Sequence, residues 1–317
     1  MKNVLEIILV TYNRKQFLKN TLEAMFLPES PTVKYGLDFT ILDNASTDGT
    51  SELCLDYEGL YPNIRHIRRS KNIGGNANIA GAFALAKKEY VWIIADDDFY
   101  DWSAWQEIQQ ALDSKLYDVV LTLKKSIKNS SDYPKIIKEL CFVPAGIYKT
   151  ANITGGVLQN AYDNIPFKFP HLAAACAVLN KNGKFYVPQK ELISKIGADR
   201  TPCEILYLRD SDGAYKPEII KNMFWGVSYI NSLQLIKDRK LRAQILNNAS
   251  DSGFFSFIFT RFRDNKRYYG DNFGNILLVW KCLNFAQRIK FFAALILIEI
   301  FYFYVPFTKA SKSKKIN

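Results

Sequence analysis

The sequence predicts an α/β protein, a mostly parallel sheet flanked by helices, continued by a helical C-terminal region. Three observations carry that expectation. Short apolar runs of strand length alternate with helical-period stretches through the first 125 residues, as parallel strands with right-handed crossovers require. The run Tyr90–Ile94 is apolar and β-rich without alternation, as in a strand buried on both faces. From Glu218 onward the apolar spacing becomes helical.

Element by element, Val4–Val10 is a β-rich run that passes into the polar turn Thr11-Tyr12-Asn13. Phe17, Leu18, Leu22, Met25 and Phe26 then recur at helical spacing over Arg14–Phe26, with Asn13 as the expected cap. A second strand, Leu37–Leu42, leads into Asp43-Asn44-Ala45-Ser46-Thr47-Asp48-Gly49-Thr50, with a helix beginning near Thr50. A third, Ile64–Ile67, precedes Asn72-Ile73-Gly74-Gly75-Asn76-Ala77-Asn78 and a helix to about Lys88. The Tyr90 strand then ends in Ala95-Asp96-Asp97-Asp98. Ligands of open α/β sheets lie beyond the carboxyl ends of the strands, so these polar loops should share one functional edge.

Three successive carboxylates repel one another. A divalent cation, Mn²⁺ or Mg²⁺, offsets that cost, because carboxylate oxygens are its preferred ligands. The plain alternative is helix capping by Asp98 or Asp101, ahead of a helix over Trp102–Leu112. Thr11, Tyr12, Asn13, Asp43 and Asn44 add an aromatic face and hydrogen-bonding groups suited to a base, a ribose and a diphosphate. For Tyr12 the plain alternative is core packing, and for Asp43 an Asx-turn. The Gly74-Gly75 pair permits positive φ, but it forms neither G-x-G-x-x-G nor a Walker A sequence, which argues against dinucleotide dehydrogenases and P-loop enzymes.

The chain has 317 residues, and its 48% hydrophobic content excludes wholesale disorder. Five singly spaced cysteines suggest reduced thiols in a cytosolic setting. Val4–Val10 runs straight into patterned α/β sequence, so no signal peptide is expected. Part of the net charge of +11 sits at residues 287–317, where Arg288, Lys290, Lys309, Lys312, Lys314 and Lys315 oppose Glu299 alone. These cations flank the apolar run Phe291–Phe307 instead of interleaving with it. That arrangement suits anionic headgroups better than a nucleic-acid backbone. Interrupted by Glu299 and only 17 residues long, the run fits a shallow anchor better than a span, a soluble packing helix being the alternative. Phe254, Phe255, Phe257, Ile258, Phe259 and Phe262, with Arg261, Arg263, Lys266 and Arg267, suit either a membrane interface or a helical core with a solvated face.

Ile8-Leu9-Val10-Thr11-Tyr12-Asn13-Arg14, the Asp43–Thr50 loop, Asn72-Ile73-Gly74-Gly75 with Asn78, and Asp96-Asp97-Asp98 resemble, in order and spacing, the nucleotide-sugar domain of family 2 glycosyltransferases of the GT-A fold. The resemblance covers about residues 3–125. It implies that Thr11, Tyr12 and Asp43 cradle a nucleobase, usually uracil. Asn78 and the Asn72 loop would lie near ribose and diphosphate, Asp96 and its neighbour Asp97 near the ribose, and Asp98, seconded by Asp96, on the metal. The partners implied are a nucleotide-sugar donor and a glycan or lipid-linked acceptor in bacterial surface-polysaccharide assembly, at the inner face of the cell membrane.

An inverting transfer needs a base for the acceptor hydroxyl. Family members commonly place Glu-Asp at the start of a mid-chain helix; here Pro170-His171-Leu172 stands in that slot. His171 is therefore the first candidate base and Asp163 the second, with a structural or metal-binding His171 as alternatives. His66 is expected to be structural. Lys124–Lys138 reads as a loop over the site and Ala145–Asn164 as the acceptor-side wall, while Arg200, Arg209, Asp210 and Asp212 are loop charges able to meet acceptor or diphosphate. The expected division is a catalytic domain over 1–215 and a helical region over 216–317. Two rivals are a nucleotidyltransferase, for which no basic Gly-rich loop is visible, and a membrane-docked binding module without turnover.

Overall fold

The computed structural model describes residues 4–124, 127–195, 219–266 and 273–304. Arg200, Cys203, Arg209, Asp210, Asp212, the expected boundary at 215/216 and the lysines of the C-terminal tail lie outside the described residues.

The first half is βα-alternating: β1 (Leu5–Thr11), α1 (Lys15–Met25), α2 (Pro31–Lys34), β2 (Asp38–Asp43), α3 (Thr50–Leu60), β3 (Ile64–Arg68), α4 (Gly75–Leu85) and β4 (Tyr90–Ile94). There follow β5 (Phe99–Tyr100), α5 (Trp105–Ser114), β6 (Val119–Leu121), α6 (Tyr133–Glu139), β7 (Gly146–Lys149), α7 (Gly155–Asp163), α8 (Leu172–Asn180), β8 (Phe185–Tyr186) and β9 (Ile193–Lys195). The C-terminal helices are α9 (Ile219–Ser232), α10 (Arg239–Asn247), α11 (Gly253–Lys266), α12 (Phe273–Cys282) and α13 (Phe285–Tyr304).

Seven strands form one sheet in the order β3-β2-β1-β4-β7-β6-β8. β3, β2, β1 and β4 are parallel, and β7 runs antiparallel to both β4 and β6. Every residue of β4 is buried, because the sheet carries apolar layers on both faces. Ile8 and Ile93 face one layer, and Leu9 and Ile94 face the other. Glu6, the one acid inside β1, is satisfied by the Lys87 N–H at 2.9 Å and Thr40 Oγ1 at 3.2 Å.

Two expectations need correction, and one open alternative is resolved. The lysine-rich Lys124–Lys138 stretch is not all loop: α6 begins at Tyr133 and sends Ile136 and Ile137 into the core. Gly146–Lys149, read as acceptor wall, is an internal strand of the sheet. Phe254, Phe257, Ile258 and Phe262 of the aromatic-basic band are core, continuous with α8 and α9, and Arg261 stacks 4.4 Å over Trp225. The core thus runs unbroken from the sheet into the C-terminal helices, buried apolar contact being what holds helices of this length in place.

Candidate functional site

The ladder register aligns one row of side chains across four neighbouring strands. Thr11 pairs with Asp43, and Asp43 with Arg68, at the carboxyl ends of β1, β2 and β3. Leu9 pairs with Ile94, so Asp96, two residues on, stands level with Thr11, and Thr11 Oγ1 donates to Asp96 Oδ2 at 2.6 Å. The expected shared edge is therefore present.

At its centre Asp43 is 0% exposed. Its Oδ1 accepts from the Ser46 N–H at 2.9 Å and Ser46 Oγ at 2.5 Å, and Oδ2 accepts from Ser51 Oγ. His66 Nε2 stands 3.8 Å and Arg68 Nε 3.6 Å from Oδ2. Burial alone raises the Asp43 carboxyl, but the adjacent His66 and the serine hydrogen bonds outweigh it and bring it down to about 2. In this arrangement Asp43 organises its loop, as the Asx-turn reading has it. His66, expected to be merely structural, backs the site.

Asn13 does not cap α1. It takes φ 50°, its N–H donates to Ser46 Oγ at 2.9 Å and its Oδ1 accepts from the Thr47 N–H at 2.7 Å. The first turn of α1 is served by the second loop: Arg14 N–H donates to Thr50 Oγ1 at 3.2 Å, and Lys15 N–H to Asp48 Oδ2 at 3.1 Å. Tyr12, between them, is half-buried. The third loop is tied in by Asn72, whose Oδ1 accepts from Asn44 Nδ2 at 2.7 Å and the Gly74 N–H at 2.8 Å. Gly74 has φ 90°, a conformation reserved for glycine here. Asn78 is buried, accepting from Arg69 Nε at 2.6 Å and donating to the Leu42 carbonyl at 3.2 Å; it braces the loop from beneath.

The acidic tip divides its labour. Asp101 is the cap: its side chain accepts from the Ser103 N–H at 3.0 Å and closes the 3-10 turn Trp102–Ala104 that leads into α5. Asp98 is 4% exposed. Asp96, 3% exposed, has one oxygen on Thr11 and the other 3.1 Å from Arg14 Nε. Burial lifts its carboxyl to about 6, with Arg14 and Thr11 opposing the rise and Asp97 adding to it. Asp97 Oδ2 lies 2.8 Å from Arg14 Nη2. With both its oxygens engaged, Asp96 is a poorer metal ligand than expected from sequence. Among the described residues no group of three His, Cys, Asp or Glu side chains is set to hold a metal.

His171 lies away from this edge, in the core: it is 1% exposed, and its ring Nε2 is 2.9 Å from the Leu140 carbonyl. Burial depresses its basicity to about 4, against the hydrogen bonds to the Leu140 and Cys141 backbone. That is the environment of the structural alternative. Asp163, at the end of α7, is exposed and accepts from Gln159 Nε2 at 2.8 Å. The segment joining the two is anchored to the third loop, since Asn76 Nδ2 donates to the Ile165 and Phe167 carbonyls at 3.0 and 2.8 Å. Sequence reasoning missed Ser51 and Arg68, and gave no separate role to Arg14 and Ser46 inside the motifs that contain them. Arg68 was findable, as the last residue of a strand ending at the shared edge.

Comparison with known proteins matches residues 6–182 to the family model of glycosyl transferase family 2. The abequosyltransferase RfbV of Salmonella typhimurium is 36% identical over 118 residues, which is 36% of this chain and 34% of that protein. The minor teichoic acid biosynthesis protein GgaA of Bacillus subtilis is 25% identical over 104 residues, 32% of this chain and 23% of its own length. The matched stretch thus spans about a third of the first of these relatives and under a quarter of the second. Among solved structures, S. aureus TarS 1-349 in complex with UDP-GlcNAc superposes with a TM-score of 0.57 at 15% identity, covering 94% of this chain and 91% of that one. The mannosyltransferase PcManGT from Pyrobaculum calidifontis, in complex with GDP-Man and Mn²⁺, gives 0.56 at 13% identity, covering 95% and 87%. The fold is the GT-A arrangement of those enzymes, and the chain belongs to glycosyl transferase family 2.

Proposed function

We propose that the protein transfers a sugar, with inversion, from a nucleotide donor, UDP-linked, to a hydroxyl of a glycan or lipid-linked oligosaccharide in surface-polysaccharide assembly. The observation that carries this reading is the row Arg68–Asp43–Thr11–Asp96 at one sheet edge, with buried Asp98 beside it. Mn²⁺ or Mg²⁺ is the implied cofactor. The residues suit an ion held by one protein carboxylate, Asp98, and completed by substrate phosphates, which is how these ions are commonly bound. Once bound, the ion supplies charge stabilisation to the departing diphosphate. Thr11, Tyr12 and the loop organised by Asp43 would hold the nucleobase, and the Asn72 loop would face ribose and diphosphate. Asp163 is the better-exposed of the two candidate bases. Burial of His171 favours one second reading, a donor-binding module without turnover.

A panel of UDP- and GDP-sugars with Mn²⁺ tests the assignment. At least one UDP-sugar should raise the unfolding temperature in the presence of the ion only, since a ligand bound by the folded state alone stabilises it. It should then be turned over on adding glycan acceptor. Stabilisation without hydrolysis or transfer would favour the binding module; no stabilisation by any donor would remove the nucleotide site.

Peripheral attachment to the inner membrane face belongs to the same proposal. No helix among the described residues is long and apolar enough to cross a membrane. α13 nonetheless turns a second apolar stripe outward: Phe285 is 79% exposed, and Ile289, Phe292, Ile296 and Ile300 are exposed too, opposite the buried Phe291, Ala294 and Ile298. Lys281 and Lys290 are exposed near it, and Arg288 stacks on Trp280 with its Cζ 5.4 Å from the ring. Such a face suits anionic lipid. Flotation with vesicles containing anionic lipid should recover the protein, whereas neutral vesicles should recover little. Replacing Phe285 and Phe292 by Asp should cut vesicle binding at least tenfold, each ring being worth about 1.5 kcal/mol or more of burial. Unchanged flotation of that variant would exclude α13 as the contact.

A further inference from the structure

Three consecutive carboxylates at a buried strand end need a countercharge even before any ligand arrives. The structure supplies one from the end of the first motif, where the sequence alone suggests no role. Arg14 places Nε 3.1 Å from Asp96 Oδ1 and Nη2 2.8 Å from Asp97 Oδ2, so a single planar guanidinium spans two neighbouring acids. A lysine ammonium, a point charge, cannot reproduce that. The side chain is held from behind, with Cζ 4.4 Å over the Phe17 ring, and its backbone is pinned by Thr50. It is mostly buried, at 17% exposure.

We propose that Arg14 is the resident counter-cation of the acidic tip. It holds Asp96 and Asp97 in place and prevents the tip from retaining a divalent ion alone, so that the ion stays only with a nucleoside diphosphate. This rests on the metal reading given above. A tip already partly neutralised attracts a second cation weakly. With no three-ligand cage among the described residues, substrate phosphates and water would complete the coordination of an ion held by Asp98. Arg14 is thus a positioning residue that couples ion retention to donor binding.

Electron paramagnetic resonance of Mn²⁺ with the full chain tests this, with and without UDP or GDP, each compared with the nucleotide alone. Wild type should bind Mn²⁺ weakly without nucleotide and at least tenfold tighter with one. Arg14→Gln should bind Mn²⁺ without nucleotide at least tenfold tighter than wild type. Arg14→Lys, which keeps a charge but serves one acid, should fall between and carries the test if Arg14→Gln does not fold. A purely structural arginine would lower the unfolding temperature without raising Mn²⁺ affinity. If wild type retains Mn²⁺ with nucleotide while neither variant gains affinity without it, the role of Arg14 is overturned and the metal reading stands. If Mn²⁺ binds under no condition, both fall.

Discussion

Asp98→Ala is expected to lower sugar transfer about a thousandfold, which corresponds to roughly 4 kcal/mol of transition-state charge stabilisation. The fold should survive it. Asp98 shares its tip with two other carboxylates, one of them slightly more buried, so deleting one charge relieves repulsion and should leave the unfolding temperature level or higher. Asp101→Ala gives the opposite pattern. It removes the Ser103 cap, costs about 1 kcal/mol of stability and should leave transfer within a few-fold of wild type. Assaying the two variants side by side, by donor turnover and thermal unfolding, separates the two roles that this run of acids allows. Transfer retained in Asp98→Ala, to within threefold, would show that the tip does not serve the reaction.

That separation bears on what a sequence discloses. Strands β1 to β4 were legible because each is a dense apolar run closed by a polar loop, and their common edge followed from parallel topology. The acidic tip was legible as a cluster, but the allocation of roles within it was not. Which acid caps the turn Trp102–Ala104 and which is buried depends on the path of β5, and β5 is held by pairing with β9, about 95 residues away. The pairing of Arg14 was invisible for a similar reason: its partners lie 82 and 83 residues downstream, and an arginine after a turn looks like surface. For His171 the sequence left a base and a structural residue both open. Its position in the chain suggests a base, whereas its burial is decided by packing of α8 against the C-terminal helices, which no local pattern reports.

Asp43→Asn should destabilise the protein by about 3 kcal/mol at pH 7, since hydrogen bonds to a buried charged group contribute about 1.5–3 kcal/mol each. The amide would also turn donor hydrogens toward Arg68 or Ser46, groups that now offer donors to the carboxylate. The pH dependence gives the sharper test. The folded carboxyl sits at about 2, below its ordinary value of 3.8. A group depressed in this way stabilises the fold fully above its unfolded value and loses that contribution as pH falls through its folded one. Urea unfolding of wild type and Asp43→Asn should therefore show a gap that narrows between pH 4 and 2. Because every other acid titrates in both proteins, the difference isolates Asp43. A gap below 1 kcal/mol at pH 7, or one that does not narrow in acid, would mean that the loop between β2 and α3 is held by something other than this carboxylate. The nucleobase site assigned to that loop would then lose its physical basis.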